Sequence, residues 1–128
     1  MAGKKRILAV DDDAAICDLY EKGLPPLGFD VVCAASGKQA RTFLEKETFD
    51  IVLMDIMMPD VDGITLTREI CSNPKTAKVP ILVVSGLSDA GTLEDALLYG
   101  AVDYIVKPVD FTILKSKIDR ILALQEKR

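Results

Sequence analysis

Between Asp50 and Gly63 the chain reads DIVLMDIMMPDVDG, and this stretch narrows the folds open to it more than any other. Ile51 to Met54 is an unbroken apolar run, the pattern of a strand buried on both faces. Asp55 follows at the carboxyl end of that strand. A loop with Pro59 and the turn pair Asp62-Gly63 comes next, and a helical pattern starts at Ile64. A carboxylate at the exit of a central parallel strand stands where open α/β sheets place their ligands. Capping the following helix is the plainer use for Asp55, but that helix starts beyond Gly63 and Asp62 is better placed to cap it.

The rest of the chain alternates in the same way. Arg6 to Val10 is a first apolar strand that runs into Asp11, Asp12 and Asp13. Ile16, Leu19, Tyr20 and Gly23 follow at helical spacing, with Asp13 as the natural cap. Pro25-Pro26 stops or kinks this helix, because proline offers no N–H and clashes with the preceding turn. Val31 to Ala35 reads as a second strand, and Ser36-Gly37 opens a helix whose stripe is Ala40, Phe43 and Leu44. A third helix covers Thr65 to Cys71, and Asn73-Pro74 marks a loop. Pro80 precedes a fourth strand, Ile81 to Val84, ending at Ser85-Gly86. Asp89 to Tyr99 is helical with Gly100 as its stop, and Val102 to Val106 is a fifth strand ending at Lys107-Pro108. Asp110 caps a last helix built on Phe111, Leu114, Ile118, Ile121 and Leu122. Five short apolar strands alternating with five helices require parallel pairing through right-handed crossovers. The expected fold is doubly wound α/β, with one five-stranded parallel sheet between two layers of helices.

Composition excludes several functions. The length of 128 residues holds one domain, residues 1–128, large enough to fold without a metal or disulfide. The net charge of −4 argues against direct nucleic-acid binding, which needs a cationic face. The basic sets Lys4-Lys5-Arg6 and Lys115, Lys117, Arg120 read as solvated surface. Three cysteines without a CxxC spacing suit free thiols in a reducing compartment, and the absence of histidine removes the commonest general base. MAGKKRILAV lacks the apolar core of a signal peptide, and no run is long enough to span a membrane. A cytoplasmic location with no membrane partner is expected.

In a parallel sheet all carboxyl ends share one edge. Asp11 and Asp12 exit the first strand, Asp55 the third, Ser85 the fourth and Lys107 the fifth. Crowded carboxylates raise one another's pKa, and a divalent cation relieves the repulsion; hard oxygen ligands suit magnesium. Such a site can hold a phosphoryl group, with Asp55 as nucleophile, Lys107 neutralising its oxygens and Ser85 donating a hydrogen bond.

These residues bring the chain to a known family. VDDD at Val10–Asp13, LMDIMMPDVDG at Leu53–Gly63, VVSG at Val83–Gly86 and GAVDYIVKP at Gly100–Pro108 resemble, in order and spacing, the receiver domain of two-component response regulators. The resemblance covers about Arg6 to Leu122; residues 123–128 either finish the last helix or start a linker. It implies the flavodoxin-like strand order 2-1-3-4-5. It also implies Asp55 as phosphoacceptor, and Asp12 and the Met57 backbone carbonyl as direct metal ligands, with Asp11 acting through water. The metal implied is magnesium, with manganese an alternative. Ser85 is then the switch hydroxyl, Lys107 the phosphate-pairing lysine, Tyr104 the aromatic that moves inward, and Gly63 a structural position. A cis peptide is expected before Pro108. Pro25-Pro26 departs from the uninterrupted first helix of the family.

On this reading the chain is no metabolic enzyme and catalyses only its own phosphorylation and dephosphorylation. Its partners would be a sensor histidine kinase or phosphotransfer protein, and a downstream protein or effector domain. Phosphorylation would alter the surface of the fourth helix, fifth strand and fifth helix, with phosphorylation-dependent homodimerisation open. Met57 and Leu87, both apolar and unable to bond a hydrolytic water, point to a slowly decaying acyl phosphate or else only shield the site. The competing readings are a receiver-like scaffold that works without phosphorylation and an aspartate-nucleophile phosphatase. The phosphatase wants a second acid at position 57, where methionine stands. A flavin carrier would need a phosphate-binding loop where Asp11–Asp13 stand.

Overall fold

Apolar runs and helix caps divide the chain into the elements of a computed structural model that describes residues 3–86 and 90–126. In order these are β1 (Lys5–Val10), α1 (Ala14–Gly23), a 3-10 turn (Pro25–Leu27), β2 (Phe29–Ala34), α2 (Gly37–Lys46) and β3 (Ile51–Met54). They are followed by α3 (Gly63–Ser72), β4 (Ile81–Ser85), α4 (Ala90–Leu98), β5 (Asp103–Val106) and α5 (Phe111–Glu126). All neighbouring strands run parallel, in the order β2-β1-β3-β4-β5. This is the doubly wound α/β sheet expected from the alternating elements, in the strand order that the family resemblance implies.

The sheet has two buried faces because its strands alternate side chains up and down. Leu8, Val10, Val52, Met54 and Val83 face one way and pack with Ala40 and Leu44 of α2, Leu66 and Ile70 of α3 and Ala96 of α4. Ile7, Ala9, Leu53, Leu82 and Ile105 face the other way, onto Tyr20 of α1 and Leu114 and Ile118 of α5. Every residue of β3 is buried, which is why its sequence shows no polar alternation. No helix among the described residues is long and apolar enough to cross a membrane, and the three cysteines are free.

Local chemistry sets the ends of the elements. The Asp13 and Asp62 carboxylates accept from the N–H groups of Ala15 and Thr65, and the Ser36 hydroxyl from that of Gln39. Gln39 returns the bond by accepting from the Ala35 N–H at 2.8 Å, and Asp110 accepts from the N–H of Thr112 at 2.8 Å. α1 stops at Gly23, before the proline pair, which forms the 3-10 turn. Several boundaries differ from the sequence reading by one or two residues. β2 starts at Phe29 rather than Val31, its exposed Asp30 hiding the start of the run; α3 begins at Gly63 rather than Thr65; β5 begins at Asp103. The expected first residue of the fourth helix, Asp89, lies outside the described residues.

Arg6 is not the solvated lysine-like surface that its basic neighbourhood implied. Its guanidinium donates to Thr48 O at 2.8 Å and Glu47 Oε1 at 2.5 Å and lies over the Phe49 ring, 4.8 Å from the centroid. Its N–H donates to the Asp50 carboxylate at 2.7 Å. The start of β1 is thereby tied to the segment that leads into β3.

The loop between β3 and α3 closes on itself at Gly63. The Gly63 N–H donates to Ile56 O at 2.7 Å, and a Cβ there would run into Asp55 O and lie 2.8 Å from Ile56 Cα. Backbone cannot swing aside as a side chain can. Gly63→Ala is expected to lower the unfolding free energy by about 1–3 kcal/mol, the range of forced overpacking, measured by urea denaturation. Gly86→Ala is the control, since a Cβ at Gly86 meets nothing within 4 Å.

Candidate functional site

Register brings the strand exits level. Val10 pairs with Ala34 on one side and Met54 on the other, Met54 pairs with Val83, and Ser85 pairs with Val106. The residues just beyond β1, β3 and β5 therefore meet at one edge. Asp11, Asp12, Asp55 and Lys107, with Met57 and Gly86, line a cleft of about 460 Å³. A larger cleft, about 1050 Å³, opens at the opposite edge beside Val79, Pro80, Val102 and Leu124. No carboxylate cluster converges there among the described residues, so the smaller cleft is the candidate site.

Asp11 and Asp55 are buried, 1% and 5% exposed, whereas Asp12 faces solvent. One carboxylate oxygen from each of the three lies within 4.8 Å of the others. Three hard anionic oxygens at that spacing fit a hard divalent cation that keeps part of its water. Asp13, the third acid of the run, is diverted to capping α1. The Asp11 backbone is fixed by its N–H to Ala34 O at 3.0 Å, and its carboxylate accepts from the Asp13 N–H at 2.9 Å. Asp55 N–H donates to Val10 O at 2.9 Å, which ties the β3 exit to the β1 exit.

Lys107 supplies the positive charge. Its Nζ lies 2.7 Å from Asp11 Oδ2 and 3.4 Å from Asp55 Oδ1, so its shorter ion pair is with Asp11. Lys107 N–H donates to Ser85 O at 2.8 Å, and the Lys107-Pro108 peptide is cis, as expected. Burial pushes the Asp55 carboxyl up to about 6, aided by the charge of Asp11 and opposed by Lys107. Burial pulls the Lys107 ammonium down, but the hydrogen bond and charge of Asp11, with the charge of Asp55, outweigh it and leave it raised.

Ser85 is the last residue of β4 and is fully buried. Tyr104, on β5 beside Val83, is turned outward and 36% exposed. The Met57 side chain is 63% exposed at the mouth of the cleft, while Leu87 lies outside the described residues. The sequence reading missed Asp60. Its carboxylate accepts from the N–H groups of Gly37 and Lys38 at 3.2 and 3.1 Å, across a sequence separation that leaves no periodic signal.

Comparison with known proteins places the chain in a family. The family described as response regulator receiver domain matches residues 7–119. The transcriptional regulatory protein ZraR of Escherichia coli K12 is 38% identical over 118 residues, covering 91% of this chain and 26% of that protein. The probable transcriptional regulator ycf27 of Porphyridium aerugineum is 36% identical over 124 residues, covering 97% of this chain and 50% of that protein. The chain thus spans between a quarter and a half of these relatives. Among solved structures, a CheY-like receiver domain protein from Methanospirillum hungatei JF-1 superposes with a TM-score of 0.91 at 34% identity, covering 98% of both chains. A putative response regulator from Chloroflexus aurantiacus gives 0.89 at 32%, covering 94% of this chain and 98% of that one.

The raised Asp55 pKa has a consequence for stability. The carboxyl binds its proton more tightly folded than unfolded, so its ionisation costs stability as pH rises from about 4 to about 6. In metal-free buffer Asp55→Asn is expected to stabilise the chain by about 1–3 kcal/mol at pH 7.5, with the gain vanishing below pH 4. Thermal melts of both proteins across that range, with chelator present, check the sign.

Proposed function

Because the chain belongs to the response regulator receiver domain family, we propose that it is a phospho-accepting switch in which Asp55 takes a phosphoryl group from a partner histidine kinase or phosphotransfer protein. The observation that carries this reading is the convergence of Asp11, Asp12 and Asp55, with carboxylate oxygens within 4.8 Å of one another, and Lys107 reaching two of them. In the transfer, an Asp55 carboxylate oxygen bonds to phosphorus while the bond from phosphorus to the donor's imidazole nitrogen breaks. Asp12, Asp55 and the Met57 carbonyl would hold magnesium directly, with manganese an alternative, and Asp11 would act through water. The cation supplies charge neutralisation at the phosphoryl oxygens.

The chain's own side chains do the rest. Burial of Asp55 limits competing water, and above about pH 6 its carboxylate is ionised and nucleophilic. Lys107 stands close enough to pair with an oxygen added at Asp55, and Ser85 at the neighbouring strand end would donate to another. The added group carries roughly −1.5 to −2 charges and three acceptor oxygens. Drawing Ser85 and Lys107 toward it would pull on the ends of β4 and β5, and Tyr104 would turn inward. The surface that changes is α4, β5 and α5, where Leu98, Tyr104, Val106 and Ile113 are exposed. Its reader would be a downstream protein, an effector domain, or a second phosphorylated copy. The relatives named as transcriptional regulators are longer than this chain, and a transcriptional output would belong to such an added part. The only reaction catalysed would be the gain and loss of the chain's own phosphoryl group.

Intact mass after treatment with acetyl phosphate and magnesium tests the acceptor. A single phosphoryl adduct is expected in the wild type, absent without magnesium and absent in Asp55→Asn. An adduct that persists in the mutant would place the chemistry elsewhere, and none in either would favour a phosphorylation-independent scaffold.

The lifetime of the adduct follows from the cleft mouth. Met57 offers no group to orient a hydrolytic water, so the partner-free phosphorylated protein is expected to decay slowly. Met57→Asn should shorten the half-life several-fold, read as loss of adduct mass over time. Equal decay of the two proteins would leave Met57 as a mere shield.

A further inference from the structure

The segment between β3 and α3 carries Met57 past the cleft, yet the Met57 side chain is mostly exposed and does not anchor it. The backbone is held at two other places. At its base the Gly63 N–H bonds to Ile56 O at 2.7 Å. At its tip the two oxygens of the Asp60 carboxylate are divided between the first two amides of α2, Oδ1 on the Gly37 N–H at 3.2 Å and Oδ2 on the Lys38 N–H at 3.1 Å. Both are amides that a helix's first turn leaves without internal partners, and an anion is the favoured acceptor there. The two bonds hold the Asp60 carboxyl below its usual range.

A second contact at the same place is steric. The loop's Val61 packs so closely on α2 that a Cβ at Gly37 would collide with its Cγ1. Glycine at the first position of α2 thus lets the loop tip lie flat on the helix end, while Asp60 bonds to it. Behind this joint α2 is fastened to α3 by a two-pronged pair, Arg41 Nε and Nη2 to the Glu69 carboxylate, each at 2.9 Å. The tip is thereby anchored to a helix whose other side is braced on α3, the helix the loop leads into.

We infer that Asp60 is a positioning residue, latching the loop to the amino terminus of α2 so that the Met57 carbonyl is held at the cation site beside Asp12 and Asp55. The inference rests on the phosphoacceptor reading above, since it assigns a role toward the cation which that reading requires. Met57 sits one residue from the base anchor and three from the tip, so freeing the tip releases its backbone on one side. The aspartate cluster itself is untouched, because Asp11, Asp12 and Asp55 are placed by β1 and β3. A cation held by the remaining carboxylates loses the preorganisation of one ligand, and its affinity falls.

The test uses the whole unphosphorylated chain with magnesium chloride as probe. Titration calorimetry is run on wild type, Asp60→Ala, Asp60→Asn and Gly37→Ala, alongside amide hydrogen exchange and urea denaturation. Asp60→Ala is expected to raise the magnesium Kd about tenfold, the low end for outer partners of metal ligands. Asp60→Asn should raise it less, since an amide keeps one acceptor oxygen. Amides 37, 38 and those of the loop should exchange faster, while β3, β4 and α5 keep their protection. Gly37→Ala, which leaves Asp60 in place and displaces Val61, should weaken magnesium in the same direction, and it carries the test if Asp60→Ala fails to fold. With acetyl phosphate, the Asp60→Ala deficit should shrink as magnesium is raised, a split that general loss of structure does not produce. An unchanged Kd with faster exchange at 37 and 38 would overturn the inference alone. A wild-type chain that binds no magnesium would overturn the phosphoacceptor reading, and the inference with it.

Discussion

Three carboxylates gathered at one edge of a sheet repel one another, and the ammonium of Lys107 is the counterweight the site depends on. From the end of β5 it reaches Asp11 beyond β1 and Asp55 beyond β3, at 2.7 and 3.4 Å. The compensation is incomplete, since Asp55 stays well above the ordinary carboxylate range. Residual cost of this kind is common where a site is poised for a ligand that the rest of the fold cannot replace. Everything that places Lys107, from the Ser85 carbonyl under its N–H to the pairing of β5 with β4, therefore bears on the charge state of Asp55 two strands away.

The two-sided burial of β3 is what permits such crowding. A strand with a solvated face would let water into the ends of its neighbours and screen the charges. Here Ile51 through Met54 are sealed by α3 and α2 on one side and by α1 and α5 on the other. The acids emerge from a dry layer into a small cleft, so pairwise electrostatics are strong over a few ångströms and fade at its mouth.

What the sequence disclosed and what it hid follow one rule. Strands, caps and exits are written locally: an apolar run, an Asp or Ser before a helix, an acid after a strand. Asp13, Ser36, Asp62 and Asp110 could be assigned as caps from such short windows, and the acids and lysine of the cleft from parallel-sheet logic together with the family motifs. The joints between elements are not written that way. Asp60 meets α2, and Arg6 meets Glu47, through pairs separated by tens of residues, and no periodicity announces them. That Lys107 lies nearer Asp11 than Asp55 is likewise set by side-chain reach in three dimensions, which no short window records. The start of β2 was missed because Asp30, exposed at the sheet's outer edge, interrupts an apolar pattern that its neighbour Phe29 would have extended.

An open sheet also leaves two unpaired margins, and in this chain β5 forms one of them. It is only four residues long and is followed within two residues by Pro108, whose nitrogen has no proton to give to another strand. Asp103 at its start is tied to Lys117 of α5 at 2.8 Å, which keeps a charge beside the opening. A second molecule could gain few ladder hydrogen bonds by adding itself there, so the margin resists uncontrolled strand-to-strand growth. Any union of copies on that side has to be made by side chains meeting side chains, and a contact of that sort can be formed and undone without altering the sheet.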